Sequence, residues 1–323
     1  MAAPSATVAR QLNRLARIRP SQLGSLVPLK HEPLDPRRCK QGSREWFQLR
    51  QGRLTASRFS HVLGFGGPAH RRAALAELFS GSEASLSANQ GWASANGTTG
   101  DGFCGSRWGH RYERSALATY LHAYVQPRCS AARVLETGFW PIGGDATSVL
   151  PPSDGNLALG ASPDALLDGV DALFPGGVVV EVKCPYGAGV PRAQGRVHAR
   201  QMPQLQGALL ATGRAHCHLV TWSPAGASVF GVAADAAYQR AMVEALVLAV
   251  EAAREGRPLV PMEADFLAHV RHWSLTLAVS ARLLASIEPR HCLILLEDEE
   301  VAEQHRRADV DGREQGAAAQ PAT

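Results

Sequence analysis

Lysine is the residue that this chain most conspicuously lacks. The sequence holds 33 lysines and arginines together, and only three of them, Lys30, Lys40 and Lys183, are lysines. Lys30 and Lys40 lie in a basic N-terminal stretch, so the predicted folded body keeps one lysine where arginine would preserve the charge. Lysine is a compact point charge on a flexible stem, whereas arginine is a planar fork that keeps its proton. Lys183 therefore indicates a position that requires a point charge.

Paired cysteines, long apolar runs and a strong net charge are also missing. The six cysteines are scattered with no C-x-x-C pair. Their spacing argues against a disulfide scaffold, a structural zinc site or an iron–sulfur cluster, and for a reducing, intracellular compartment. No apolar run approaches the roughly 20 residues of a membrane helix, so we expect no membrane partner. The formal net charge is only +4 over 323 residues, so a nucleic-acid site would have to be a local basic patch.

Composition divides the chain into three parts. Residues 1–40 are rich in arginine, and their first acidic residue is Glu32. This pattern is typical of a transit peptide for the mitochondrion or chloroplast; the alternative is a basic leader without an address, in a nuclear or cytoplasmic protein. Residues 41–290 are predicted to form a single domain, with a flexible loop rich in Gly, Ser, Asn and Thr at 81–106. Residues 291–323 are charged and then rich in Ala and Gln, which predicts a disordered tail.

Hydrophobic periodicity and turn residues predict a mixture of helices and strands. We expect helices over 44–51, 56–63, 108–124, 198–212, 236–254 and 263–287, and strands over 133–140, 157–161, 178–183, 216–222 and 228–232. Ser43 and Asp235 are predicted to cap the helices that follow them.

The most informative motif is one carboxylate, followed later in the chain by a carboxylate and a lysine two residues apart. Glu181 and Lys183 end an apolar strand, and the period of two along a strand puts both side chains on one face. Asp164 lies upstream, and Pro163 and Pro185 restrict the backbone beside the motif. This order is typical of the metal-binding core of a PD-(D/E)xK nuclease, although a salt-bridged sheet surface would show the same letters. Charges in so apolar a strand are costly unless they are paired, which favours a site.

The residue types suit hydrolysis of a phosphodiester. Asp164 and Glu181 can supply carboxylates to Mg²⁺, which Mn²⁺ can replace, and the Val182 carbonyl is a further candidate ligand. Lys183 beside two carboxylates is expected to stay protonated. It can then orient the attacking water and stabilise charge that develops on the phosphate.

Five ordered blocks between Ser43 and Thr221 carry a family resemblance. They are Trp46-Phe47-Gln48-Leu49-Arg50-Gln51-Gly52-Arg53-Leu54-Thr55-Ala56-Ser57, Trp108-Gly109-His110-Arg111-Tyr112-Glu113, Gly160-Ala161-Ser162-Pro163-Asp164-Ala165, Glu181-Val182-Lys183-Cys184-Pro185 and Gln204-Leu205-Gln206-Gly207. The chain resembles the YqaJ-type viral recombinases, the alkaline exonuclease group that includes phage lambda exonuclease. Ala165 replaces the glycine usual in the family, which alters a turn but removes no ligand. The resemblance implies an α/β (α+β), restriction-endonuclease-like core, with a central mixed sheet flanked by helices.

The resemblance also assigns roles to individual residues. It implies that Asp164 and Glu181 are metal ligands and that Lys183 is the catalytic lysine. Glu113 would contribute to the metal shell directly or through water, against the alternative of a solvated helix glutamate. Gln204 would be a polar group of the catalytic site rather than a solvent-facing side chain.

Arg50 and Ser57 complete the implied set. They would bind the 5′-phosphate of DNA, against the alternatives of a surface salt bridge for Arg50 and a helix N-cap for Ser57.

The implied activity is that of a metal-dependent deoxyribonuclease. We expect a 5′→3′ exonuclease on linear double-stranded DNA ends, serving recombination or repair, with a single-strand annealing protein as a possible partner and a trimeric ring as the family's homo-oligomer. Two alternatives stay open: a sequence-tolerant endonuclease of the same fold, and a non-catalytic descendant that binds DNA or a partner. The sequence does not decide between exonuclease and endonuclease, or between DNA and RNA.

Overall fold

A computed structural model of the chain describes residues 5–32, 34–79, 105–143, 157–187 and 190–296. The predicted flexible loop at 81–106 lies outside the described residues except for its last two positions. The predicted tail lies outside them from residue 297 onward.

Helices and strands alternate along the described chain. The helices are α1 (Ala6–Arg14), α2 (Arg44–Arg50), α3 (Ala56–Val62), α4 (Gly67–Phe79), α5 (Gly105–Tyr120), α6 (Met202–Thr212), α7 (Ala236–Arg254) and α8 (Pro261–Ser280). The strands are β1 (Ala16–Ile18), β2 (Leu26–Val27), β3 (Leu54–Thr55), β4 (Arg133–Leu135), β5 (Trp140–Ile142), β6 (Leu159–Ala161), β7 (Ala165–Asp168), β8 (Val178–Lys183), β9 (Tyr186–Gly187), β10 (Val190–Pro191), β11 (His216–Ser223), β12 (Gly226–Ala233), β13 (Arg282–Ile287) and β14 (Leu293–Leu295). Short 3-10 turns lie at Pro20–Gln22, Pro36–Arg38, Ala199–Gln201 and Pro289–His291, and a π turn, Leu121–Val125, extends α5. None of the described helices combines the length and apolar composition that a bilayer crossing requires.

A mixed sheet forms the centre of the fold. Its order is β13-β12-β11-β8-β7-β4-β2, with β8 parallel to β11 and β2 parallel to β4, and the other neighbours antiparallel. A smaller sheet, β3-β6-β5, lies beside it. The expected central mixed sheet with flanking helices is confirmed.

Strand β8 shows how the sheet separates two cores. Val178, Val180 and Val182 pack on one face with residues of α5, and Val179 packs on the other face with residues of α3, α6, α7 and α8. Both faces are covered, which explains the uninterrupted apolar run that precedes Glu181. Because side chains alternate, Glu181 shares its face with Val179 and projects toward the α6 side.

Both ends of the described chain pack on this core. The composition instead predicts a separate basic leader at 1–40 and a disordered tail at 291–323. Strand β2 extends the central sheet, and β1 pairs in parallel with β14, which lies inside the predicted tail. Val8, Leu15 and Leu23 are buried with the α5 side of the sheet. Composition concealed this packing because the buried apolar residues are interspersed with exposed arginines. A targeting role for residues 1–40 stays a prediction.

Two predicted elements differ from the structure. The helix expected over 263–287 ends at Ser280, and the chain continues as β13. Pairing with the edge of β12 outweighs the local preference for helix there. The strand expected over 133–140 is two strands, β4 and β5. Gly138 lies between them where a Cβ would come 2.5 Å from the carbonyl oxygen of Cys39, so the backbone must pass close to another segment.

The predicted helix caps are confirmed. The Ser43 side chain accepts from the Trp46 N–H and begins α2, and the Asp235 side chain accepts from the Tyr238 N–H and begins α7. Strand β8 has the predicted bounds, 178–183.

Candidate active site

One cavity of about 660 Å³ is lined by all eight candidate site residues that the sequence analysis selected. It opens at the end of β8, between α5, α6 and the α2–α3 region. Its lining includes Arg50, Ser57, Glu113, Asp164, Glu181, Val182, Lys183 and Gln204. These residues come from segments up to 154 positions apart (Arg50 to Gln204), so the fold has gathered them.

Adjacent strands bring Asp164 and Glu181 together. Asp164 directly precedes β7, where Ala165 is the register partner of Val180 in β8. The Asp164 Oδ2 atom accepts a hydrogen bond from the Val182 N–H at 2.6 Å. The bond ties the turn before β7 to the strand that carries Glu181.

Glu181 is a buried carboxylate with two side-chain donors. Only 1% of the residue is exposed. Its Oε1 accepts a hydrogen bond from the Lys183 ammonium at 2.7 Å, and the Gln204 amide Nε2 donates to the same oxygen. Burying a charge is tolerable when it is paired and hydrogen-bonded in this way. Gln204 therefore faces the site rather than solvent.

Helix α5 brings a third carboxylate, Glu113, to the cavity. The helix is anchored by a cluster of aromatic rings: Trp108 lies 4.2 Å from Tyr112, and Tyr112 stacks on Trp222 of β11 at 5.4 Å, centroid to centroid. Glu113 follows Tyr112 directly, so this ring cluster fixes the helix that brings Glu113 to the cavity.

Burial and crowding perturb all three carboxyl groups. Burial raises the pKa of Asp164 to about 7, and repulsion from Glu113 adds to the effect. Burial likewise raises the pKa of Glu181 to about 7, with repulsion from Asp164. Burial raises the pKa of Glu113 to about 7 as well, with repulsion from Glu181 and Glu136. Lys183 opposes each shift but does not cancel it.

Lys183 remains a cation in this setting. Burial alone would lower its pKa, but attraction to Glu181, Asp164 and Glu113 more than offsets burial and raises the pKa above its ordinary value. Its side chain is 32% exposed, so the ammonium lies against the carboxylates while still bordering the cavity.

The carboxylates fit a hard divalent cation. In the part of the chain that the structure describes, no three His, Cys, Asp or Glu side chains form a ready-made metal cluster. Mg²⁺ does not require one, because it binds through one or two carboxylates together with waters and substrate phosphates. Asp164 and Glu181 supply such a pair, and a divalent cation bound there would offset the burial, and the repulsion from neighbouring carboxylates, that raise their pKa values.

A cationic and hydroxyl-rich subsite occupies the α2–α3 side of the same cavity. The Arg50 guanidinium lies over the Trp46 ring at 4.1 Å and donates to Ser162 Oγ at 3.4 Å and to Thr55 Oγ1 at 3.3 Å. Thr55 Oγ1 and Ser57 Oγ are hydrogen-bonded at 3.2 Å. Burial, with a smaller contribution from Arg58, lowers the pKa of Arg50 to about 10, so it still carries its charge at neutral pH.

The geometry does not match the two structural alternatives for Arg50 and Ser57, and phosphate binding stays a prediction. Among the described residues Arg50 makes no salt bridge, and its partners are hydroxyl groups and a ring. Thr55, rather than Ser57, occupies the N-cap position of α3. The sequence analysis missed Ser162, which also accepts from the Trp46 indole N–H at 3.1 Å. Its position two residues before Asp164 was the available signal.

The close approach of α3 to α6 joins the two halves of the cavity. A Cβ on Gly207 would lie 2.8 Å from the Phe59 ring and 3.0 Å from the Ala56 Cβ. The absent side chain lets the helix that carries Gln204 lie directly on the helix that carries Ser57.

Comparison with known proteins identifies the family to which the chain belongs. The YqaJ-like viral recombinase domain matches residues 45–215. No curated protein matches the sequence. One similar solved structure is the crystal structure of LHK-Exo in complex with dAMP, with 20% sequence identity and a TM-score of 0.39, covering 74% of this chain and 97% of LHK-Exo.

The domain match spans more than half of the 323 residues and includes every residue of the cavity that the sequence analysis had selected. This chain is therefore a member of the YqaJ-like viral recombinase domain family.

Proposed function

We propose that this protein is a metal-dependent deoxyribonuclease that degrades linear double-stranded DNA from its 5′ ends. The observation that carries the proposal is the coexistence, in one cavity, of the hydrogen-bonded Asp164, Glu181 and Lys183 set with the Arg50 subsite. One end suits a divalent cation and phosphodiester hydrolysis, and the other suits a phosphate group.

In this mechanism Asp164 and Glu181 would hold Mg²⁺ or Mn²⁺, the Val182 carbonyl would be a further ligand, and Glu113 would contribute directly or through water. When bound, the ion neutralises charge on the scissile phosphate. Lys183 directs its ammonium at the oxygen on which charge develops in the transition state. Gln204 and Lys183 keep Glu181 in a single orientation through their hydrogen bonds to Oε1.

The Arg50 subsite would hold the terminal 5′-phosphate. Arginine binds phosphate through two parallel N–H groups, and Trp46 and Ser162 restrict the plane of this guanidinium before any ligand arrives. A terminal phosphate carries more negative charge than an internal diester. The subsite should therefore favour a free 5′-phosphorylated end.

The test uses Mg²⁺ with duplexes labelled at either end, linear beside covalently closed circles. We expect nucleotides to be released from the 5′ ends of linear duplex, closed circles to resist, and chelation to stop the reaction. Asp164→Asn should abolish cleavage, whereas Asp265→Asn, on the exposed surface of α8, should not. Cutting of closed circles would favour the endonuclease, and no cleavage of any duplex would favour the non-catalytic descendant.

The 5′-phosphate preference is tested separately. The rate on 5′-phosphorylated ends should exceed the rate on 5′-hydroxyl ends. Arg50→Ala should remove most of that difference, because a charge-assisted hydrogen bond contributes about 1.5 to 3 kcal/mol, roughly 10- to 100-fold in rate. Arg44→Ala, exposed on the same helix, is the matched control. Equal wild-type rates on both ends would contradict the assignment of Arg50 and Ser57.

A further inference from the structure

Gln41 links the N-terminal region to the turn that carries Asp164. Its side-chain Nε2 donates to the carbonyl oxygen of Pro163 at 2.8 Å and to the carbonyl oxygen of Thr137 at 2.9 Å. Pro163 directly precedes Asp164, and both accepting residues are buried. One amide group therefore uses both of its protons to join two loops that are 26 positions apart (137 to 163).

Gln41 acts from a firmly held backbone. Residues 35–41, which we name the strap, lie against the link between β4 and β5. The Gly138 N–H donates to the Arg37 carbonyl at 2.7 Å, and the Phe139 N–H donates to the Pro36 carbonyl at 2.8 Å. Cys39 and Phe139 are fully buried in one small core. The strap therefore holds the Gln41 amide in place, and Gln41 in turn fixes the Pro163 and Thr137 carbonyl groups.

Asp164 is held from two directions. The Val182 N–H fixes its carboxylate, and Gln41 fixes the carbonyl of the residue before it. If the Gln41 donor is removed, the buried Pro163 carbonyl loses a partner, and leaving such a group unpaired is unfavourable. The turn can then shift to find another donor, and the Asp164 carboxylate shifts with it.

We propose that Gln41 is a positioning residue that sets the Asp164 carboxylate for metal binding. The metal part of this inference rests on the proposed function. Gln41 lines the cavity and precedes residue 45, where the family match begins. The site therefore includes Gln41, the last residue of the strap, which lies outside the matched domain.

The first measurement needs neither metal nor DNA. In the full-length protein labelled with ¹⁵N-valine, hydrogen exchange reports the Val182 amide, which donates to Asp164. Gln41→Met keeps the size and removes the donor, and it should accelerate Val182 exchange at least about tenfold, with Val232, two strands away in the sheet, unchanged. Gln48→Met, at an exposed position on α2, is the matched control. If Gln41→Met does not fold, Gln41→Asn retains an amide that is too short to reach both carbonyls.

The second measurement is Mn²⁺ binding by calorimetry without DNA. Loss of a group that supports a metal ligand typically weakens metal affinity by about 10- to 100-fold. We expect that loss in Gln41→Met, none in Gln48→Met, and no binding at this site in Asp164→Asn.

The outcomes separate the two ideas. Unchanged Val182 exchange, or equal acceleration of Val182 and Val232, overturns the positioning role. Faster exchange at Val182 alone supports it, even if Mn²⁺ binds equally to wild type and Asp164→Asn. That last result would overturn the metal assignment of Asp164 and leave Gln41 as the residue that holds its turn.

Discussion

At the residue scale, the Glu181–Lys183 pair explains why this chain keeps a lysine in its core strand. The Lys183 ammonium reaches Glu181 at 2.7 Å while it also borders the cavity. A planar guanidinium needs more room and distributes its charge over three nitrogens. The carboxylate is almost fully buried, and removing its cationic partner would leave an uncompensated charge, a change that typically costs about 3 to 5 kcal/mol.

Replacement of this lysine by arginine is a direct test of the point-charge requirement. Lys183→Arg should retain the fold, because the charge is kept, but should lower the cleavage rate by at least about 100-fold, the cost of removing one well-placed electrostatic donor. Steady-state cleavage of linear duplex, with circular dichroism as a check on folding, measures it. Arg282→Lys, exposed on β13, controls for the exchange itself. Turnover near the wild-type rate in Lys183→Arg would rule out a catalytic lysine.

The raised pKa values of the three carboxyl groups predict that stability and metal binding both change with pH near neutrality. The pKa values of Asp164, Glu181 and Glu113 are about 7 in the folded protein and about 4 in an unfolded chain. The folded state therefore binds more protons between these values, and the stability of the metal-free protein at this site falls as pH rises through that window.

Metal binding requires the deprotonated carboxylates, so it should reverse this loss. We expect the increase in Tm on adding Mg²⁺ to be small near pH 5.5 and to grow toward about pH 8.5, and the cleavage rate to rise through pH 7. Differential scanning fluorimetry with and without Mg²⁺ across pH measures the first effect. A Tm increase that is independent of pH would contradict the raised pKa values, and Asp164→Asn should reduce the increase at high pH.

At the element scale, the N-terminal segment is part of the folded core. Strand β2 pairs with β4 at one edge of the central sheet, and β1 pairs with β14. The main-chain amides of Leu293 and Leu295 donate to Thr119 and Ser115 of α5. Helix α5, which carries Glu113, is therefore hydrogen-bonded to β14, the strand that pairs with β1. Removal of residues 1–35, which the composition alone would permit, should expose this face.

Two leucines of the N-terminal segment, one buried and one exposed, can test whether this segment packs on the core. Leu23 is 1% exposed and Leu34 is 89% exposed. Leu23→Ala should lower the free energy of unfolding by about 2 to 5 kcal/mol, the range for a buried leucine truncated to alanine. Leu34→Ala should leave it nearly unchanged, and urea denaturation measures both. Equal stability of the two variants would instead support the interpretation of residues 1–40 as a leader that the folded protein does not need.

At the scale of the whole molecule, the net charge of +4 conceals a local basic region at the mouth of the cavity. Arg200 is exposed, lines the cavity and lies near two histidines. Burial lowers the pKa of His61, and Arg58, His70 and Arg200 lower it further. Burial also lowers the pKa of His198, with contributions from Arg200 and Arg196. Arginine charge therefore lies close to both histidines, and Arg200 brings it to the cavity that Glu113, Asp164 and Glu181 also line.

If DNA binds at this mouth, Arg200 should contact a backbone phosphate. Each neutralised phosphate contributes about 0.9 to the slope of log affinity against log salt, so Arg200→Ala should lower the magnitude of that slope by about one. Binding of linear duplex to the Asp164→Asn background, measured by fluorescence anisotropy at several salt concentrations, tests this. Arg240→Ala, exposed on α7, should leave the slope unchanged, and an unchanged slope in Arg200→Ala would place the DNA elsewhere.

The features that follow from neighbouring residues could be predicted from the sequence. Ser43 and Asp235 cap helices through hydrogen bonds to amides three residues ahead. Strand β8 follows from its valine run, and the alternation along it puts Glu181 and Lys183 on one face. The ordered motifs selected the eight residues that the structure brings to one cavity.

The meeting of distant segments depends on how the whole chain packs and could not be predicted from local patterns. The Gln41 amide bonds to Pro163 across 122 positions, and the Leu293 amide bonds to Thr119 across 174. No local pattern marks either partner, because a glutamine or a carbonyl is equally satisfied by water in an unpacked chain. The same holds for β13, which is a strand only because the edge of β12 offers hydrogen bonds to it. Local hydrogen bonds and the alternation of side chains along a strand follow from adjacent residues. Burial and the pairing of strand edges depend on the packing of the whole chain.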